Sequence, residues 1–128
     1  MTEGVYKEGK LEGTFKRYSY AGQVMEEGEY KNGNKVGKWT YYFPDTKQIE
    51  AEETYDDQGN RIGTWKYYYD NRRLARVEKY ESGIAVGTWE EYYPNKKLAK
   101  RKTYELGVPV GKYEEYFESG EVSVEGQI

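Results

Sequence analysis

The sequence predicts an all-β fold: five tandem β-hairpins side by side in one elongated, twisted, antiparallel single-layer sheet. Three observations predict it. Tyr6, Tyr30, Tyr55, Tyr80 and Tyr104 recur every 24 or 25 residues, and a fixed period of that length marks a repeat array. Each of these tyrosines is followed by a glycine, by a second glycine four residues on, and by an aromatic two residues later, as in Gly33, Gly37 and Trp39. Between the markers run short aromatic and β-branched stretches bounded by breakers, which is the composition of strands.

The second unit shows how each element arises. Tyr30-Lys31-Asn32-Gly33 ends one strand in a turn, because Asn and Gly both tolerate positive φ. Lys38-Trp39-Thr40-Tyr41-Tyr42-Phe43 is the first strand of the hairpin, and Pro44-Asp45-Thr46-Lys47 turns the chain. Gln48 to Tyr55 returns as the second strand. Alternation puts Trp39, Tyr41 and Phe43 on one face and Thr40 and Tyr42 on the other; Trp65, Tyr67 and Tyr69 repeat the first set, with Tyr68 opposite. The second glycine of each unit is expected to leave room for a neighbouring ring or backbone. Val24, Ile49, Leu74, Leu98 and Val122 share one slot of the returning strands and are expected to form an aliphatic seam between units. The hairpin turns at 44–47, 70–73 and 94–97 lack glycine, so Asp or Asn is expected to take the turn conformation there.

The units fall at 6–29, 30–54, 55–79, 80–103 and 104–128, within a single domain of 1–128. One-residue insertions break the period between Tyr42 and Ile49 and again at Asp56-Asp57-Gln58-Gly59, both in predicted turns. Ile128 stands where the next tyrosine would fall.

Composition sets limits on function. Charged residues reach 34% and hydrophobic residues only 36%, which on its own leans toward disorder. The sixteen Tyr, three Trp and three Phe act against it, since each brings a large apolar face. The fold must rest on ring packing and on the stems of long charged side chains. With no Cys and no His, thiolate chemistry and the commonest general base and metal ligand are absent. Glu90 with Glu91, and Glu114 with Glu115, are adjacent in a strand and therefore face opposite ways. No catalytic, cofactor or metal residues are assigned. No apolar run suits a membrane span, no signal peptide is visible, and the cytoplasm is the expected compartment.

The pattern Tyr-x-x-Gly-x-x-x-Gly-x-Trp-x-x-Tyr-Tyr, then a turn, then Leu, resembles MORN repeats, in particular the bacterial variant of the YwqK-family antitoxin type. The resemblance covers residues 6–128. It implies stacked hairpins with an aromatic-lined groove, and roles in protein–protein contact and sometimes in contact with anionic lipid. Phe15 and Tyr113 replace Trp in the end units, as atypical caps would.

The net charge of −3 conceals a gradient. The first two returning strands carry Glu26, Glu27 and Glu29, then Glu50, Glu52 and Glu53. The third is mixed, with Arg76, Glu78 and Lys79, and the fourth carries Lys100, Arg101 and Lys102. Arg72, Arg73, Lys96 and Lys97 extend the basic region into the turns. These charges either pair between strands, contributing roughly 0–1 kcal/mol each, or steer a charged partner.

A single layer cannot bury both faces, so a stripe drawn from Tyr41, Tyr67, Tyr69, Tyr93 and Phe117 is expected to be exposed as a partner groove or dimer face. The expected function is a non-enzymatic protein-binding module, antitoxin-like or inhibitor-like, that masks a bacterial toxin, nuclease or other effector. The alternative is an assembly module that self-associates or docks on anionic membrane. Direct nucleic-acid binding is disfavoured by the acidic total.

Overall fold

The computed structural model describes residues 1–127; Ile128 and its expected place in the period lie outside them. The chain folds as twelve strands: β1 (Thr2–Lys7), β2 (Lys10–Tyr18), β3 (Val24–Lys31), β4 (Asn34–Tyr42), β5 (Ile49–Tyr55), β6 (Gly63–Tyr68), β7 (Leu74–Glu81), β8 (Ile84–Ala85), β9 (Gly87–Tyr92), β10 (Leu98–Glu105), β11 (Val108–Tyr116) and β12 (Val122–Gln127). They form one antiparallel sheet whose order follows the chain, with β8 as a short extension paired to β7. The predicted all-β meander is therefore the observed fold. Apart from β7, which pairs with both β8 and β9, each strand pairs with its neighbours in sequence, as local hairpin chemistry dictates.

The tight turns follow the expected rule. Asn32-Gly33 takes positive φ at both residues, and so do Glu8-Gly9, Ser82-Gly83 and Leu106-Gly107, which matches the twist of the flanking strands. The insertion at Asp56 builds a longer turn. There the Asp56 carboxylate accepts from the backbone N–H of Gln58 at 3.0 Å and of Asn60 at 2.8 Å.

The invariant second glycine has a different cause from the one expected. A side chain at Gly37 would meet nothing within 4 Å, so close approach does not explain it. Its φ is 67°, and it sits in a bulge where the partners of Glu29 and Glu27 are Val36 and Thr40. The bulged strand carries extra residues opposite Gly28 alone, and these swing Trp39 over that glycine. The close approach falls on Gly28, where a Cβ would overlap the Trp39 indole. Gly126 stands in the same relation to Tyr113.

Two other expectations are corrected. Ile49 and Val122 are exposed, and Val24, Leu74 and Leu98 are half-buried, so the aliphatic slot is a half-open row and not a buried seam. Among the described residues the buried hydrophobic set is Val36, Trp39, Ala51, Trp65 and Val77, and the charged Glu78 is buried with them. At the hairpin turns, the left-handed residue is Lys47, Arg72 or Lys96, not Asp or Asn. The short polar side chains have another task there. Asn71 Oδ1 accepts from the Arg73 N–H at 2.9 Å and Asn95 Oδ1 from the Lys97 N–H at 3.0 Å.

Candidate functional site

One face of the sheet carries the rings. Phe15, Tyr30 and Trp39 pack together, with Tyr30 edge-on to Trp39 at 5.0 Å. A second run links Tyr55, Trp65, Tyr80, Trp89 and Tyr104 at centroid distances of 4.7 to 5.2 Å. Among the described residues no ring pair joins Trp39 to Tyr55. Indole N–H groups fix the run by donating to strand carbonyls: Trp39 to Glu29, Trp65 to Thr54 and Trp89 to Lys79.

Cations cover these rings. Lys35 lies 4.5 Å from the Trp39 centroid, Arg61 lies 4.8 Å from Trp65, and Arg76 lies 4.3 Å from Tyr67. Sequence reading missed Lys35 and Arg61. Lys35 lies in β4 ahead of the bulge, paired with Tyr30, and Arg61 lies in an isolated bridge to Tyr55; the strands read from the sequence begin after both.

The ladder is not equally buried. Trp39 is 0% exposed and Trp65 is 2% exposed, whereas Trp89 is only half-buried. Trp89 borders a hollow of about 240 Å³ whose walls include Arg76, Glu78, Glu91, Lys100, Lys102 and Tyr104. Arg76 Nε lies 2.8 Å from Glu78 Oε2 but makes no hydrogen bond, so the pair is held by charge without good N–H alignment. Lys100 stands between Glu91 and Glu115 in register and reaches Glu115 at 3.7 Å. Lys102 makes no ion pair among the described residues.

The charge gradient is largely answered strand by strand. On the face opposite the rings, Lys16 opposes Glu27, Lys66 opposes Glu52, and Arg101 lies between Glu90 and Glu114. Arg101 binds Glu90 with Nε at 3.1 Å and Nη2 at 3.0 Å. Glu52 is held by Lys38 at 2.9 Å, and this contact is the leading cause of its lowered pKa. Glu53 accepts the Tyr55 hydroxyl on the ring face, and Glu50 is exposed.

The same face carries a tyrosine-to-glutamate contact between units. Tyr42 donates to Glu27 at 2.7 Å and Tyr68 to Glu52 at 2.9 Å. Burial first, and these carboxylates second, push both phenols up to about 12. In the next two units the acceptor slot holds Val77 and Arg101, so the contact ends where the basic strands begin.

The expected aromatic stripe divides. Phe117 is 57% exposed, whereas Tyr41, Tyr67, Tyr69 and Tyr93 are half-buried. Tyr69 donates to the Tyr92 carbonyl at 2.6 Å and Tyr93 to the Tyr116 carbonyl at 2.5 Å, tying each turn to the next. Arg73 and Lys97 do the same, reaching the Pro94 and Ser119 carbonyls at 2.7 and 3.0 Å. Arg72 and Lys96 stay exposed at the turn tips.

A family model described as a MORN repeat variant matches residues 11–32, 85–106 and 109–128, together half of the chain. Repeats of that kind generally bind proteins or membranes and are generally non-catalytic. No curated protein matches.

Proposed function

The chain belongs to the MORN repeat variant family, and from that premise we propose that it is a non-enzymatic module that binds another protein on its ring face. The observation that carries this reading is the opening of the ring ladder at Trp89. A partly exposed tryptophan beside Lys102, over a mixed-charge hollow, is the kind of anchor that dominates protein interfaces. The nearby Arg76, Glu78, Glu91 and Lys100 give such a partner both signs of charge to meet. An antitoxin-like protein of the YwqK type, masking a bacterial effector, is the narrower form of this reading. It has the repeat behind it and no residue of its own.

Affinity capture from a bacterial lysate tests the reading. A protein held by the wild type and released by both Trp89→Ala and Lys102→Glu supports it. Undiminished capture by both variants sinks it. The competing reading, docking on anionic membrane, is favoured by the general use of these repeats at membranes. It requires sedimentation with phosphatidylserine vesicles at low salt.

A further inference from the structure

The edge of the sheet formed by the hairpin turns carries a second surface, apart from the Trp89 hollow. Between each returning strand and the next unit lies a groove floored by one tyrosine and walled by one aliphatic residue. Val24 and Tyr42 line the first of three such grooves, Ile49 and Tyr68 the second, and Leu74 and Tyr92 the third. Neighbouring grooves share a wall. Lys47 borders the first and second, Arg72 borders the second and third, and Lys96 closes the third. They therefore form one continuous row running across the strands.

The walls are unusual in two respects. Lys47, Arg72 and Lys96 have φ of 63°, 70° and 75°, a left-handed backbone, while Gly22 and Gly120 fill the same slot in the end units. Glycine takes that conformation without steric cost, and a long cationic side chain does not. A cation thus replaces glycine in this slot in each of the three inner units. None of the three cations makes an ion pair among the described residues. Arg72 Nε faces the Gln48 amide oxygen at 3.1 Å once that amide is turned to satisfy its neighbours, which leaves the rest of the guanidinium outward.

The spacing selects the ligand. One unit is two strands wide, about 9.5 Å. A polyproline II helix has three residues per turn and advances about 9.3 Å in that turn, so every third residue faces the same side. A β-strand cannot do this, because its side chains alternate with a period of two. Aromatic grooves are also the known seats of polyproline II ligands. We propose that the turn edge binds an acidic peptide in the polyproline II conformation, with a carboxylate at every third residue paired to Lys47, Arg72 and Lys96 and the intervening residues seated on Tyr42, Tyr68 and Tyr92.

Fluorescence anisotropy with a labelled synthetic peptide repeating glutamate–proline–proline tests this, against an isomer whose glutamates are consecutive. The spaced peptide is expected to bind at least tenfold more tightly. The Lys47→Gly, Arg72→Gly, Lys96→Gly triple variant is expected to lose at least tenfold in affinity and to melt no lower than wild type. Changing the same three residues to glutamine removes the charge, keeps the strain, and is expected to lose binding likewise. Trp89→Ala is expected to leave this affinity unchanged, which separates the edge from the ring face. Equal affinity for the two isomers, retention by the glutamine variant, or no saturable binding into the millimolar range overturns the proposal. So does tighter binding to inorganic polyphosphate or to phosphatidylserine vesicles, which would assign the cations to a phosphate ligand.

Discussion

Trp39 lies directly over Gly28, with its indole filling the space where any other residue would place a Cβ. The ring completes the burial of a strand position that has no side chain, and the 0% exposure of Trp39 is the result. Gly28→Ala is expected to destabilise the protein by about 1–3 kcal/mol through overpacking. Urea denaturation measures it. Gly37→Ala strains the left-handed bulge without a clash, and its cost is expected to be smaller, about 1 kcal/mol.

Trp65 and Trp89 occupy equivalent slots but not equivalent surroundings. Trp65→Ala is expected to cost about 3–5 kcal/mol, as for a buried aromatic. Trp89→Ala is expected to cost clearly less, because that ring is only partly buried where Trp65 is almost wholly so. Equal losses in denaturant titrations would contradict the opening of the ladder at Trp89.

Tyr69 and Tyr93 act as pins between consecutive turns. Tyr69→Phe and Tyr93→Phe each remove one hydroxyl and keep the ring, and each is expected to cost about 1 kcal/mol. Hydrogen exchange is expected to rise at the turns after Tyr92 and Tyr116, whose carbonyls lose their donor.

Alkaline pH is expected to weaken the fold. Tyr42, Tyr68 and Tyr80 are each raised from the ordinary 10.0 to about 12, by burial first and by Glu27, Glu52 and Glu78 second. The folded state holds these protons longer than the unfolded chain. Their contribution is therefore complete below pH 10 and is lost as pH rises through about 12. Absorbance of ionised tyrosine and circular dichroism, followed together, check it. Tyr42→Phe with Tyr68→Phe is expected to flatten the dependence. Glu52 acts in the opposite sense, since its lowered pKa gives stability that is present above about 4.5 and lost as pH falls through the folded value.

The hairpins, their order and the ring face were legible in the sequence because each depends on local signals. Tyr30, Gly33, Gly37 and Trp39 recur at fixed spacing, and strand alternation assigns their faces. The bulge was not legible, since counting residues by twos assumes an unbroken ladder. Alternation therefore assigns to Gly37 a packing role that belongs to Gly28. The basic strands stood out in the sequence, but their partners lie on neighbouring strands, and only the register places Arg101 between Glu90 and Glu114. Among the edge cations Arg72 and Lys96 were marked by charge. Lys47 carries no such mark, and its alignment with Gly22 and Gly120 is the available signal.

The gap in the ring ladder between Trp39 and Tyr55 lies beside thin strand pairing on the other side of β5, where the ladder is Ala51–Tyr67, Glu52–Lys66 and the bridge from Tyr55 to Arg61, with the Ile62 N–H donating to the Thr54 carbonyl. In an array whose stability is a sum of nearest-neighbour terms, the weakest junction sets where cooperation fails. Pulled from its two ends, the molecule is expected to yield first between β5 and β6, where the ladder is shortest. It would part there into a two-hairpin piece locked by Trp39 and a longer piece locked by Trp65 and Trp89.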